Sequence, residues 1–138
     1  MKNIHAVGVI FENEHGEILV LRRHPQDPEG TTWGLVGGKV EAGEDEVTAA
    51  KREVQEEIGH SLDTDKLQHL KTYHWERDDA DITFAVFIVS SRQNSIVLTI
   101  DQTEHTEHLW TRPEELYRRE DLMTGLYPIL EDRYKLTR

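Results

Sequence analysis

The 138-residue sequence contains no cysteine, which excludes disulfides, zinc–thiolate sites and thiol nucleophiles. It also lacks any apolar run approaching the roughly 20 residues that a membrane-spanning helix needs. Positive charge is scarce: 16 lysines and arginines against 27 aspartates and glutamates leave a net charge of −11. Such a chain repels polyanions on average, which argues against binding a nucleic-acid duplex. Small phosphorylated ligands stay open, because a bound cation inverts the local field. Met1-Lys2-Asn3-Ile4-His5 leads straight into strand-like alternation rather than into a basic-then-apolar leader. One domain over residues 1–138, soluble, cytoplasmic and long enough to bury a core, is the expectation. Eight histidines are many for this length. They show no metal-ligand spacing beyond the weak pair His105 and His108, which are expected to be ordinary surface histidines.

What the chain does contain divides into alternating segments. Residues 4–11 and 17–22 read as strands joined by the turn 12–16, which predicts a hairpin. The breaker-rich stretch 24–30 is a loop, and Trp33-Gly34-Leu35-Val36 is a short strand running into Gly37-Gly38. Residues 46–58 make the clearest helix: Val47, Ala50, Val54 and Ile58 recur at spacings of three and four, and Gly59 stops it. Further strands are predicted at 67–75, 82–90, 96–100 and 109–111. A helix start is predicted at Pro113, with proline in its first turn, and a terminal helix over 122–136, kinked or restarted at Pro128. The order predicts an α/β (α+β) fold, a mixed sheet with helices packed on both faces.

The helix at 46–58 carries chemistry as well as a core stripe. With Val47 set at zero and about 100° per residue, the apolar stripe spans about 300° to 20°. Glu56, Glu53 and Glu57 fall near about 180°, 240° and 280°, a separate acidic flank beside Arg52. Ala49 lies on that flank, where its small side chain leaves room. Three like charges so spaced weaken an isolated helix, and a divalent cation compensates them, since magnesium takes hard oxygen ligands. A solvated acidic face is the alternative, and the helix alone does not decide. Before it, Gly37-Gly38 and Gly43 let the backbone approach a ligand closely and turn sharply. The loop is not a P-loop, because Gly38-Lys39 is followed by Val40 rather than by serine or threonine.

Together, Gly38, Glu44, Arg52, Glu53, Val54, Glu56, Glu57 and Gly59 resemble, in type and spacing, the signature of the Nudix hydrolase superfamily. Two positions depart from it: His60 stands where an aliphatic residue is usual, and Val36 where proline is usual in the lead-in. Neither touches a carboxylate, so they bear on local packing. The resemblance implies a Nudix-type α/β/α sandwich that hydrolyses a nucleoside diphosphate linked to another group, with magnesium or manganese required. It implies Glu53, Glu56 and Glu57 as metal ligands, joined by the Gly37 carbonyl, with Arg52 holding a carboxylate and Glu44 supporting the loop. For the general base it leaves Glu53, or a carboxylate of the segment Asp101–Trp110, with Glu104 the first choice and Glu107 the second. Gly38, Lys39, Arg23 and Trp33 are the candidate substrate-binding residues. Tyr73, His74 and Trp75 join Trp33 as candidates to stack on a base.

The substrate is reached only by elimination. No proline follows the motif in the way of ADP-ribose hydrolases, and Glu76-Arg77-Asp78 stands where dinucleotide polyphosphate hydrolases tend to place a tyrosine. A MutT-like nucleoside triphosphate pyrophosphohydrolase, releasing a monophosphate and pyrophosphate, remains as the expectation. Its partner is a small nucleotide, with no duplex and no membrane, acting as a monomer or homodimer. The competing readings are a hydrolase of another nucleotide derivative, a non-catalytic Nudix-fold nucleotide-binding module, and a small acidic interaction protein.

Overall fold

The structure, a computed structural model, describes residues 2–27, 30–100 and 105–137. In chain order the elements are β1 (Lys2–Glu12), β2 (Ile18–Arg23), β3 (Trp33–Gly34), β4 (Val36–Lys39), α1 (Glu46–Ile58), β5 (Gln68–Arg77), β6 (Ala80–Ser90), β7 (His105–Thr111), α2 (Pro113–Tyr117) and α3 (Leu126–Tyr134). One mixed sheet runs β3-β2-β1-β6-β5, with β4 added beside β1 and β7 beside β2. Its spine is the parallel pair β1–β6, in register from Lys2↔Ala80 to Glu12↔Ser90. The hairpin into β2 is closed by Asn13, whose Oδ1 accepts from the N–H groups of His15 and Glu17, both at 2.9 Å, an Asx-type turn. No helix among the described residues is long and apolar enough to cross a membrane.

Both faces of the sheet are covered, as the unbroken burial of Val7 to Phe11 requires. One core joins Val7, Val9 and Phe11 to Ala49, Ala50, Val54 and Ile58 of α1. The other joins Ile10, Val86 and Ile88 to Leu116, Leu126, Ile129 and Leu130 of α2 and α3. The expected mixed sheet with helices on both faces is therefore the fold.

Helix α1 begins and ends where its caps dictate. Asp45 Oδ1 accepts from Thr48 N at 2.7 Å, and Gly59, at φ 69°, donates its N–H back to Gln55 O. The buried stripe differs from the sequence pattern in two places. Val47 stays 40% exposed, and Ala49 is wholly buried in the core rather than leaving room on the acidic flank. The segment 96–100 is not a strand. Ile96, Leu98 and Ile100 do turn toward the α1 core, but Thr99 N donates to Ile58 O at 2.8 Å, satisfying a carbonyl at the helix end instead of joining the sheet. The terminal helix starts at Leu126, four residues later than the pattern suggests, because Leu122 bridges to Trp33 and Met123 N donates to Trp33 O. Pro128 then lies in the first turn, where a missing N–H costs the helix nothing, so it neither kinks nor restarts it.

Candidate active site

The loop from Gly38 to Asp45 is folded around one guanidinium. Arg52 Nε and Nη2 donate to Glu44 Oε2 and Oε1 at 2.8 and 2.9 Å, and Nη2 also reaches Lys39 O at 2.9 Å. Nη1 donates to Glu53 Oε1 at 2.8 Å and to Glu56 Oε2 at 3.2 Å. The Arg52 fork, followed by the Glu41 N–H, holds the Glu44 carboxyl down to about 2, while Glu44 above all pushes Arg52 upward. Glu44 and Arg52 thus tie the loop to the helix.

The three helix glutamates occupy unlike environments. Glu56 is the outermost, its side chain 56% exposed. The Glu53 carboxylate lies against Gly38, where any Cβ would come within 2.6 Å of Glu53 Oε1. Glu57 is buried at 3% exposure: Gly37 N donates to its Oε1 at 2.6 Å, and His105 Nε2 stands 3.2 Å from its Oε2. Gly37 lies so close to β1 that a Cβ would overlap the Val7 carbonyl oxygen. His105, at the head of β7, is therefore no surface histidine, whereas His108 is exposed. The sequence hid this, because strict alternation places His105 on the same side of the strand as the exposed Glu107.

A cleft of about 630 Å³ opens beside these groups. Glu53, Glu57, Gly37, Gly38 and Lys39 line it, together with Arg23 and Asp27. Arg23 is held there by Asp27 Oδ2 at 3.0 Å and Met123 Sδ at 2.9 Å. Ile4, Ile82, Phe84, Trp75, Met123 and Leu126 form an apolar wall, with the cations Lys2 and Arg77 beside Ile82 and Trp75. Trp75 meets Phe84 edge-on at 6.0 Å, and Gly125 packs so near that a Cβ would lie 2.8 Å from the indole. None of these apolar residues was singled out by the sequence except Trp75. They come from strands and from the 123–126 segment, which carry no local pattern marking a pocket.

Several expectations move elsewhere. Trp33 does not line the cleft: it is 5% exposed in the α2/α3 core, with the guanidinium groups of Arg22 and Arg119 at 5.9 and 5.5 Å from its ring. Tyr73 donates to Asp132, and the exposed His74 bonds Thr83, so neither faces the cleft. Glu107 is exposed and paired with Arg22 at 3.2 Å, away from the other carboxylates. Glu104 lies outside the described residues.

The donor set fits a divalent cation. Its groups are carboxylates, the hard oxygen ligands that magnesium prefers, and Glu53 and Glu57 line one cleft. Among the described residues no three such groups stand gathered at cation-holding distance: Glu53 and Glu56 lean onto Arg52, and Glu57 onto Gly37 and His105.

A family model described as the NUDIX domain matches residues 2–132. The chain belongs to the Nudix family. It is 30% identical over 95 residues to the 8-oxo-dGTP diphosphatase of Proteus vulgaris, covering 69% of this chain and 83% of that one. It is 30% identical over 115 residues to the CTP pyrophosphohydrolase of Escherichia coli (strain K12), covering 83% and 80%. Its fold matches the crystal structure of the MutT protein from Methanosarcina mazei Go1 with a TM-score of 0.82 at 25% identity, over 99% and 97% of the two chains. Nudix hydrolases act on phosphoric anhydride bonds, generally with a divalent metal ion, and this Nudix chain is a hydrolase of that class.

Proposed function

We propose that this Nudix chain is a magnesium- or manganese-dependent nucleoside triphosphate pyrophosphohydrolase, yielding a monophosphate and pyrophosphate. The observation that carries the reading is the lining of one cleft by Glu53, Glu57 and glycine backbone together with an apolar wall that includes Trp75 and Phe84. A nucleotide likewise combines phosphates with a flat base. Two relatives whose names specify nucleoside triphosphates, one a purine and one a pyrimidine, support the substrate class without choosing the base.

Glu53, Glu56 and Glu57 hold the ion, with the Gly37 carbonyl as a fourth donor. Once bound, a divalent ion shields phosphate oxygens and lowers the pKa of coordinated water. The chain's own residues do the rest. Arg52 keeps Glu53 from swinging into solvent, and Gly38 leaves room for substrate backbone contact beside it. Lys39, exposed on the cleft rim, offers its ammonium to the phosphates. Arg23, fixed by Asp27, orients the nucleotide, and Trp75 and Phe84 receive the base. Water attacks one phosphorus, the new P–O bond forms as the bridging P–O bond breaks, and pyrophosphate leaves. The proton of the attacking water passes to Glu53 or Glu104. The pairing of Glu107 with Arg22 weighs against it in that role.

A hydrolysis screen with magnesium across nucleoside triphosphates, ADP-ribose, dinucleotides and nucleotide sugars tests this. We expect pyrophosphate from triphosphates and its loss in Glu57→Gln. Inactivity toward every class, with Glu57→Gln indistinguishable from the parent, would convert the assignment to a binding module.

A further inference from the structure

We propose that His105 is a positioning residue: it donates from Nε2 to Glu57 and locks that carboxylate in the orientation in which it takes the metal ion. The inference rests on the reading of Glu57 as a metal ligand. Glu57 is the one helix glutamate removed from solvent, and a carboxylate is tolerated there only if its oxygens find donors. They do, from two different strands. Gly37 of β4 supplies its N–H to Oε1 at 2.6 Å, and His105 of β7 stands 3.2 Å from Oε2. The two side chains are each 3% exposed. One donor alone leaves the carboxylate free to rotate about the bond to its neighbouring methylene. Donors on both oxygens remove that freedom, which is the way outer partners orient metal ligands.

The backbone is arranged to deliver the imidazole. Val20↔Leu109 and Arg22↔Glu107 pair on the α2/α3 face of β7, and Leu19↔Trp110 and Leu21↔His108 on the α1 face. Regular alternation sends His105 to the side of Glu107 and Leu109. Instead Arg23 pairs with His105, a step of one residue on β2 against two on β7. That β-bulge turns His105 to the α1 face and onto Glu57. Bulges recur where a side chain must be re-aimed at a functional site.

The test measures manganese binding directly, by the loss of the free Mn²⁺ electron paramagnetic resonance signal without nucleotide, beside thermal unfolding and steady-state kinetics. His105→Leu keeps an apolar filler and removes the donor. His105→Gln places a carboxamide N–H near the former Nε2, whereas His105→Asn places it near Nδ1, short of Glu57. We expect His105→Leu and His105→Asn to bind Mn²⁺ about 10- to 100-fold more weakly and to need correspondingly more magnesium for activity, with KM for nucleotide at saturating metal unchanged. His105→Gln should recover most of the affinity. Equal Mn²⁺ affinity in the Gln and Asn variants overturns the proposal, even if the Leu variant does not fold, because a filling role cannot distinguish where the N–H sits. Failure of the underlying reading looks different: a parent protein that leaves the free Mn²⁺ signal undiminished, or Glu57→Gln at parental affinity, would show that Glu57 binds no metal.

Discussion

Two adjacent glycines of this site do different jobs, and single methyl groups separate them. At Gly38 the obstacle to a Cβ is the carboxylate of Glu53, with Oε1 at 2.6 Å, which is the end of a movable side chain. At Gly37 the obstacle is the Val7 carbonyl, part of the sheet spine. Gly38→Ala should therefore displace Glu53 and cut kcat about 10- to 100-fold, with the melting temperature nearly kept. Gly37→Ala should lower the melting temperature and the yield of folded protein. Calorimetry beside kinetics distinguishes them, and a Gly38→Ala enzyme of full activity would sink the first half. Glu44 makes a second prediction at this scale. Its carboxyl falls from an ordinary 4.5 to about 2 in the folded chain, so between those values the unfolded chain binds the extra proton. The stability it lends is thus complete above about 4.5 and lost as pH drops toward about 2. The gap in urea-unfolding free energy between the parent and Glu44→Gln should be widest near neutral pH and shrink below about pH 4.5. A gap that is flat with pH would refute the Arg52 fork as its source.

At the scale of elements, helix α1 owes its boundaries to local chemistry, and so was legible residue by residue. Asp45 caps one end and Gly59 closes the other, both short-range signals written in the sequence. Asp45→Ala should cost about 0.5–2 kcal/mol of stability by the loss of the bond to Thr48 N, measured as a shift in the urea midpoint at constant slope. An unchanged midpoint would mean the cap is redundant. The elements that the sequence misplaced depend on distant partners. Ile96, Leu98 and Ile100 alternate as a strand does, yet the backbone of 96–100 is claimed by the carbonyl of Ile58. Leu122 continues an apolar pattern into α3, yet a bridge to Trp33 holds it outside the helix. His105 shows the same limit within the site. The carboxylates and glycines of 37–59 could be read from spacing, but a bulge is a mismatch between two strands and is not visible in either alone. Trp33 failed for a related reason: aromatic residues beside a motif suit a core as well as a ligand, and here the indole packs in the α2/α3 core with two arginines near its ring.

At the scale of the whole molecule, the cleft reports on itself through its aromatic wall. Of the three tryptophans, only Trp75 lines it; Trp33 and Trp110 pack on the two cores. Nucleotide added without metal should quench part of the tryptophan emission, and Trp75→Phe should abolish that quenching and raise KM more than it lowers kcat. Quenching that survives the substitution would place the base elsewhere.

The carboxylates and the aromatic wall of that cleft lie on separate stretches of chain, joined by β1. Its carboxylates and glycines come from 37–57, while Trp75, Ile82, Phe84 and Met123 come from β5, β6 and the turn into α3. Drift in one stretch need not disturb the other. Such a protein can acquire a taste for a new base through changes at Trp75, Phe84 or Met123 while the bond it breaks stays the same.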